Sequence, residues 1–247
     1  MGAHVPTPTA VVTGASRGIG AAIAQRLAMD GYAVAVNYLG DHEAANAVVA
    51  RIVARGGSAA AVQANVSDPR EADKLIEQAA ELGQLSVLVD NSGLSGTASR
   101  HDQKDDDELR RLVDVNILGV LLTCRAAVPL MSTKHGGAGG SIINLASVAA
   151  RTGGLPGRAA YAGSKAAVVA FSHGLSTEIA AEGVRVNSVS PGIIRTDMTT
   201  DDGAAAGRQA PLGRLGRADE VAAAVSWLAS DEAGFITGID LTVSGGR

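Results

Sequence analysis

Short apolar runs alternate along the chain with stretches whose apolar residues recur at helical spacing. The runs fall at 9–13, 33–38, 60–65, 85–90, 140–145, 184–190 and 239–243. One of them, Ala10-Val11-Val12, has no polar alternation and predicts a short buried strand; the stretch that follows its turn, Ala21-Ala22-Ile23-Ala24-Gln25-Arg26-Leu27-Ala28, reads as a helix. Repeated along the chain, this alternation predicts an α/β fold, a parallel sheet with helices on both faces. A ligand of such a sheet lies across the carboxyl ends of its strands. Neither a linker nor an internal repeat interrupts the pattern, and 247 residues suit one domain, 1–247, with a sizeable core.

Candidate chemistry gathers at two places. Tyr161-Ala162-Gly163-Ser164-Lys165 sets a phenol and an ammonium four residues apart, on one face of a helix. A free tyrosine titrates near about 10, and a neighbouring cation lowers that value toward the range where the phenol exchanges protons with a substrate oxygen. An isolated match of this kind is more often a half-buried Tyr with a solvated Lys. Near the N-terminus, Thr13-Gly14-Ala15-Ser16-Arg17-Gly18-Ile19-Gly20 joins a strand to a helix. Glycines there let backbone N–H groups at a helix start approach a pyrophosphate. The alternative is an ordinary strand-to-helix connection, but the strand–turn–helix context favours a nucleotide.

The spacing Gly-x-x-x-Gly-x-Gly together with Tyr-x-x-x-Lys resembles the short-chain dehydrogenase/reductase family, in its compact single-domain branch. Further matches follow in the family's order: Leu88-Val89-Asp90-Asn91-Ser92-Gly93, Val113-Asp114-Val115-Asn116, Ile142-Ile143-Asn144-Leu145-Ala146-Ser147 and Asn187-Ser188-Val189-Ser190-Pro191-Gly192. The stretches Pro211-Leu212-Gly213-Arg214 and Val243-Ser244-Gly245-Gly246 resemble its C-terminal region. The resemblance implies a Rossmann-type, doubly wound three-layer sandwich with a seven-stranded parallel sheet. It implies hydride transfer between a nicotinamide and a carbonyl carbon. Tyr161 would be the proton donor, Lys165 its pKa-lowering partner and a ribose ligand, Ser147 a donor to the carbonyl oxygen, and Asn116 the anchor of a water near Lys165. Taken singly, Asn116 reads equally as a structural amide and Ser147 as a strand-end cap. Ser147 and Tyr161 are fourteen positions apart, one more than is usual in the family; the small-residue loop between them can absorb the difference.

The same resemblance places a cofactor against Gly14, Ser16, Arg17, Gly18, Ile19, Gly20, Asn37, Tyr38, Asn65, Val66, Asn91, Ser92, Gly93, Tyr161, Lys165, Pro191, Gly192, Ile193, Ile194 and Thr196. NAD-preferring relatives put a carboxylate at the end of the second strand. Here Val36-Asn37-Tyr38-Leu39 has none before Asp41, and Arg17 supplies charge in the glycine turn. NADP(H) is therefore expected, with NAD(H) possible, and with Asn37 and Tyr38 donating to the 2′-phosphate. Asn65 replaces a frequent Asp at the adenine. Asp90 and Ser92 depart from the usual Asn and Ala.

Composition narrows the field. Net charge of −4 argues against a general nucleic-acid-binding surface. No unbroken apolar run of about 18 residues suggests a membrane span, and the start lacks the pattern of a signal peptide. Cys124 is the only cysteine, which excludes an intrachain disulfide and suits a cytoplasmic setting. Asp105-Asp106-Asp107-Glu108 reads as a dipole-favoured helix start, the histidines show no ligand spacing, and no metal is expected. The Gly136–Gly140 run reads as a flexible surface turn, and Arg151 and Arg158 as solvent-facing charge. A substrate flap is expected at about 196–212. Its substrate reads as a small free carbonyl compound; Glu182 stands where carrier-protein reductases often have a basic residue, leaving Lys134 and His135 as a thin basic patch. A 3-oxoacyl-carrier-protein reductase, a sugar or secondary-alcohol dehydrogenase, and a non-catalytic dinucleotide sensor are the alternatives. By resemblance the chain assembles as a homotetramer, with 222–228 and 239–243 suiting one contact.

Overall fold

In a computed structural model, residues 7–196, 199, 205, 207, 208 and 210–247 are described. The initial segment and the central part of the expected flap lie outside the described residues. Strands β1 (Pro8–Val12), β2 (Ala33–Tyr38), β3 (Ser58–Gln63), β4 (Gln84–Asp90), β5 (Gly140–Leu145), β6 (Val184–Pro191) and β9 (Asp240–Val243) form one sheet. Its order is β3-β2-β1-β4-β5-β6-β9, and every pair is parallel. β7 (Ile194–Arg195) and β8 (Gly216–Arg217) pair separately. Two residues each are too short to show a period, which is why the sequence does not announce them. β3 begins two residues before its expected start; its Ala-rich run is only partly buried at the sheet edge and marks no sharp boundary.

Both faces of the sheet are covered. Val34 and Val36 point into one core with Ile23 and Leu27 of α1 (Gly18–Met29), Val48 of α2 (His42–Val53), and Val225 and Leu228 of α8 (Ala218–Ala229). Ala35, between the two valines, joins Val11 in the opposite core. That core takes Leu75 and Ile76 from α3 (Pro69–Ala80), Met131 from α5 (Gly119–Met131) and Val168 from α7 (Ala159–Ile179). Alternate residues of one apolar run thus fill two cores, as parallel strands covered on both sides require. Within the apolar stretch 222–228, Ala222, Val225 and Leu228 therefore fill the chain's own core.

α4 (Asp106–Val113), a π turn (Asp114–Leu118) and α5 run on from one another. By length and composition Asp106–Met131 could cross a membrane. Here it packs on α3 and α7, and its apolar face serves the second core. Asp105 caps α4, accepting from the Asp107 and Glu108 N–H groups. The Gly136–Gly140 turn is pinned by main-chain bonds from Gly137 to Ser132, Gly139 to Met131 and Gly140 to Gly183.

Candidate active site

The sheet order reverses between β1 and β4, and a cleft of about 840 Å³ opens at the carboxyl ends of the strands around that point. Of the residues assigned from sequence, all except Gly20 and Asn116 line it. The glycine turn enters α1 with no side-chain cap and no acid in the first turn. Its leading N–H groups therefore remain available to an anion. Three neighbours brace the turn. Asn37 Oδ1 accepts from the Gly14 N–H, Asn91 Nδ2 donates to the carbonyls of Thr13 and Gly14, and Thr13 Oγ1 accepts from the N–H groups of Asn91 and Ser92. Gly18 sits at φ +57°, where a side chain is strained. Gly20 is needed for space: a Cβ there would lie 2.5 Å from both Asn91 Nδ2 and the Gly14 carbonyl oxygen. Gly20→Ala is expected to cost about 1–3 kcal/mol of stability, read by denaturant unfolding; an unchanged midpoint would contradict this packing.

Around the phenol the elements converge. Tyr161 lies in the first turn of α7 and Lys165 one turn on. The Ser147 hydroxyl, beyond the end of β5, stands close enough to pull the Tyr161 pKa down, and Arg158 also lowers it. Burial outweighs both and holds the phenol above its ordinary 10. The Lys165 ammonium donates to the Leu145 carbonyl of β5, 2.7 Å away. Asn116 is fully buried in the π turn, a helix irregularity common at functional sites. Its Oδ1 accepts from the Leu94 N–H at 2.7 Å; its Nδ2 donates to the Leu94 carbonyl and to Ser164 Oγ. Ser164 Oγ in turn donates to the Tyr161 carbonyl. A Cβ at Gly93 would lie 3.3 Å from Lys165 Nζ and 3.4 Å from Asn116 Oδ1, so both side chains face this glycine.

Behind Lys165 lies a carboxylate whose role sequence reasoning missed. Asp90, at the end of β4, is buried and accepts from Thr123 Oγ1 at 2.7 Å and Cys124 Sγ at 3.5 Å. Burial pushes its pKa from 3.8 to about 7, against the pull of those bonds and of Lys165. Burial brings Lys165 down to about 8, against the pull of Asp90. The Cys124 thiol is raised by burial and by Asp90, as suits a structural thiol. Between about pH 4 and 7 the folded chain holds the Asp90 proton that an unfolded aspartate has released. This group's stabilising contribution is full at the acid end and is lost as pH rises through 7, at up to about 1.4 kcal/mol per pH unit. Asp90→Asn, the residue usual in the resembling family, is expected to remove that slope. Denaturant unfolding across the same range reads it, and parallel profiles for the two proteins would contradict it.

Several expectations need correction. Asn37 is buried, and its Nδ2 donates to the carbonyls of Val62 and Ala64, so its side chain braces the turn and has no hydrogen for a phosphate. The Tyr38 hydroxyl is engaged with His42 Nδ1 at 2.6 Å. Asn65 Oδ1 is taken by the N–H and hydroxyl of Ser67; only its Nδ2 lacks an acceptor among the described residues. Arg158 is not a solvent-facing charge: it lines the cleft, and its Nη1 donates to the carbonyls of Ser95 and Gly96. Arg151, by contrast, is solvent-exposed as expected, and it donates to the Arg247 carbonyl. Lys134, half of the thin basic patch, pairs with Glu182 at 3.8 Å. Among the described residues no group of three His, Cys, Asp or Glu side chains is placed to hold a metal ion.

Comparison with known proteins agrees with this geometry. Residues 14–247 match the family described as enoyl-(acyl carrier protein) reductase. An uncharacterised oxidoreductase of Methylorubrum extorquens is 47% identical over 245 residues, covering 96% of each chain. A 3-oxoacyl-[acyl-carrier-protein] reductase of Synechocystis is 43% identical over 240 residues, covering 96% of this chain and 95% of that one. A short-chain dehydrogenase of Burkholderia cenocepacia, solved in complex with NADP, superposes with a TM-score of 0.90 at 38% identity over 97% of both chains. With the parallel sheet, the glycine turn and the Tyr161–Lys165 pair already in place, these likenesses establish that the chain is an oxidoreductase of the short-chain dehydrogenase/reductase family.

Proposed function

We propose that the chain is an NADP(H)-dependent reductase that converts a ketone or other carbonyl compound to the alcohol, with Tyr161 as proton donor. The observation that carries the reading is one cleft with an uncapped glycine-turn helix at one end and Tyr161, Ser147 and Lys165 at the other. The cofactor suits the residues present: the α1 N–H groups for its pyrophosphate, Arg17 for a 2′-phosphate, and the Pro191–Thr196 segment for its nicotinamide. When bound, it supplies a hydride to the carbonyl carbon. Ser147 donates a hydrogen bond to the carbonyl oxygen, stabilising the charge that grows there. Tyr161 Oη gives that oxygen its proton. Asn116 fixes the strand-end loop at Leu94 against α7 through Ser164, which sets the phenol's position.

NADP(H) over NAD(H) rests on Arg17 and on the NADP complex of the Burkholderia relative, since Asn37 no longer contributes. A free carbonyl compound is favoured over a carrier-protein substrate because Glu182 neutralises Lys134 where an acidic partner would need cations. Assays of NADPH and NADH oxidation against a panel of carbonyl compounds test the reading. NADPH turnover with a free ketone supports it. Turnover only with NADH, or only with carrier-bound oxoacyl groups, would replace it with one of the alternatives. We also propose a homotetramer, for which exposed Leu118, Leu121, Phe235 and Ile239 offer apolar surface. Sedimentation should show four chains per particle, and a monomer at micromolar concentration would refute it.

A further inference from the structure

The substrate end of the cleft holds a guanidinium with no carboxylate beside it among the described residues. Arg158 is half-buried, precedes Tyr161 by one helical turn at the start of α7, and lines the cleft with Ser147, Leu155 and Tyr161. Bonds from its Nη1 to the Ser95 and Gly96 carbonyls fix its place. Among the described residues no acid pairs with it, and its Nε and Nη2 hydrogens find no protein acceptor. Among the described residues two carboxylate side chains line the cleft, and neither pairs with Arg158. Asp41 caps α2 just beyond β2. Asp114 opens the π turn.

An exposed arginine is ordinarily solvated and needs no partner. This one is held by two main-chain bonds in the wall of the reaction cleft, and no described residue takes up the rest of its planar fork. Such a fork matches a carboxylate, in pairs of charge-assisted hydrogen bonds. We propose that the substrate is an oxo acid whose carboxylate is held by Arg158 while its carbonyl oxygen lies against Tyr161 and Ser147. This rests on the reductase reading above. It also links binding to proton transfer. Arg158 pulls the Tyr161 pKa down in the free cleft. A bound carboxylate offsets that pull and leaves the phenol holding the proton it must donate.

The test pairs short 2-oxo and 3-oxo acids with their methyl esters, on the full chain in the presence of oxidised NADP, where no reduction occurs. Calorimetric titration is expected to show at least one acid bound about tenfold or more tighter than its ester. Arg158→Gln should weaken both, the acid far more, so that their ratio falls to about one. Arg158→Lys should restore part of the preference, which separates charge recognition from a disturbed loop. Equal affinity for acid and ester, binding of neither, or a preference that survives in Arg158→Gln would overturn the proposal. Turnover identifies which reading has failed. If the esters are reduced by NADPH without any acid preference, only the oxo-acid assignment falls; if no carbonyl compound is reduced, the reductase reading falls with it.

Discussion

Tyr161→Phe is expected to lower kcat by about 10³-fold, within the range that general acid catalysis contributes, while cofactor affinity changes little. The phenol lines the cleft, and in the proposed reaction its proton is the one that reaches the substrate oxygen. Ser147 and Arg158 act on that hydroxyl, and burial keeps it protonated. Phenylalanine keeps the ring's volume at the start of α7, so the packing of the helix stands. The bonds that set its position run through the Tyr161 carbonyl and Ser164 and not through the hydroxyl. Steady-state kinetics alongside NADPH titration separate the two effects. A variant retaining more than about a tenth of wild-type turnover would show that another group delivers the proton.

Lys165→Met is expected to cost about 10²-fold or more in kcat/KM and, unlike Tyr161→Phe, to weaken cofactor binding as well. The ammonium is almost wholly buried, donates to the Leu145 carbonyl, and is the opposite charge that Asp90 feels. Methionine fills the same channel without charge, leaves the Leu145 carbonyl without its donor, and removes the pull that favours ionised Asp90. Because Lys165 titrates near 8, its charge is present below that value and is lost as pH rises through it. Wild-type activity should therefore fall above about pH 8, and the residual activity of Lys165→Met should lack that limb. An alkaline limb shared by both proteins would assign it to a different group.

Much of the architecture is readable from the chain because parallel strands buried on both faces leave unbroken apolar runs. The Val34-Ala35-Val36 run is an example: its residues feed two cores, and no polar position blurs the signal. The glycine turn and the Tyr161–Lys165 pair are legible because their spacing is local, one turn and one helical repeat. What escapes sequence reading is contact between distant segments. Asn37 looks like a donor at a strand tip, yet its amide is spent on Val62 and Ala64 across the sheet. Arg158 looks like loop charge until the Ser95–Gly96 main chain is brought against it. Asp90 shows in sequence only as a departure from Asn. Its significance comes from burial beside Thr123, Cys124 and Lys165, which no spacing reveals. The direction of the Tyr161 shift belongs to the same class: burial raises it, and four residues of spacing do not show burial.

The proposed reaction is hydride transfer to a carbonyl carbon with proton delivery from Tyr161. Its most direct test is a single turnover with NADPH carrying deuterium at the transferable position, followed by mass spectrometry and NMR of the product. One deuterium is expected on the carbinol carbon, none on oxygen, and no labelled product from Tyr161→Phe on the same timescale. NADPH that binds but stays unoxidised across the carbonyl panel, or a product without label, would contradict it.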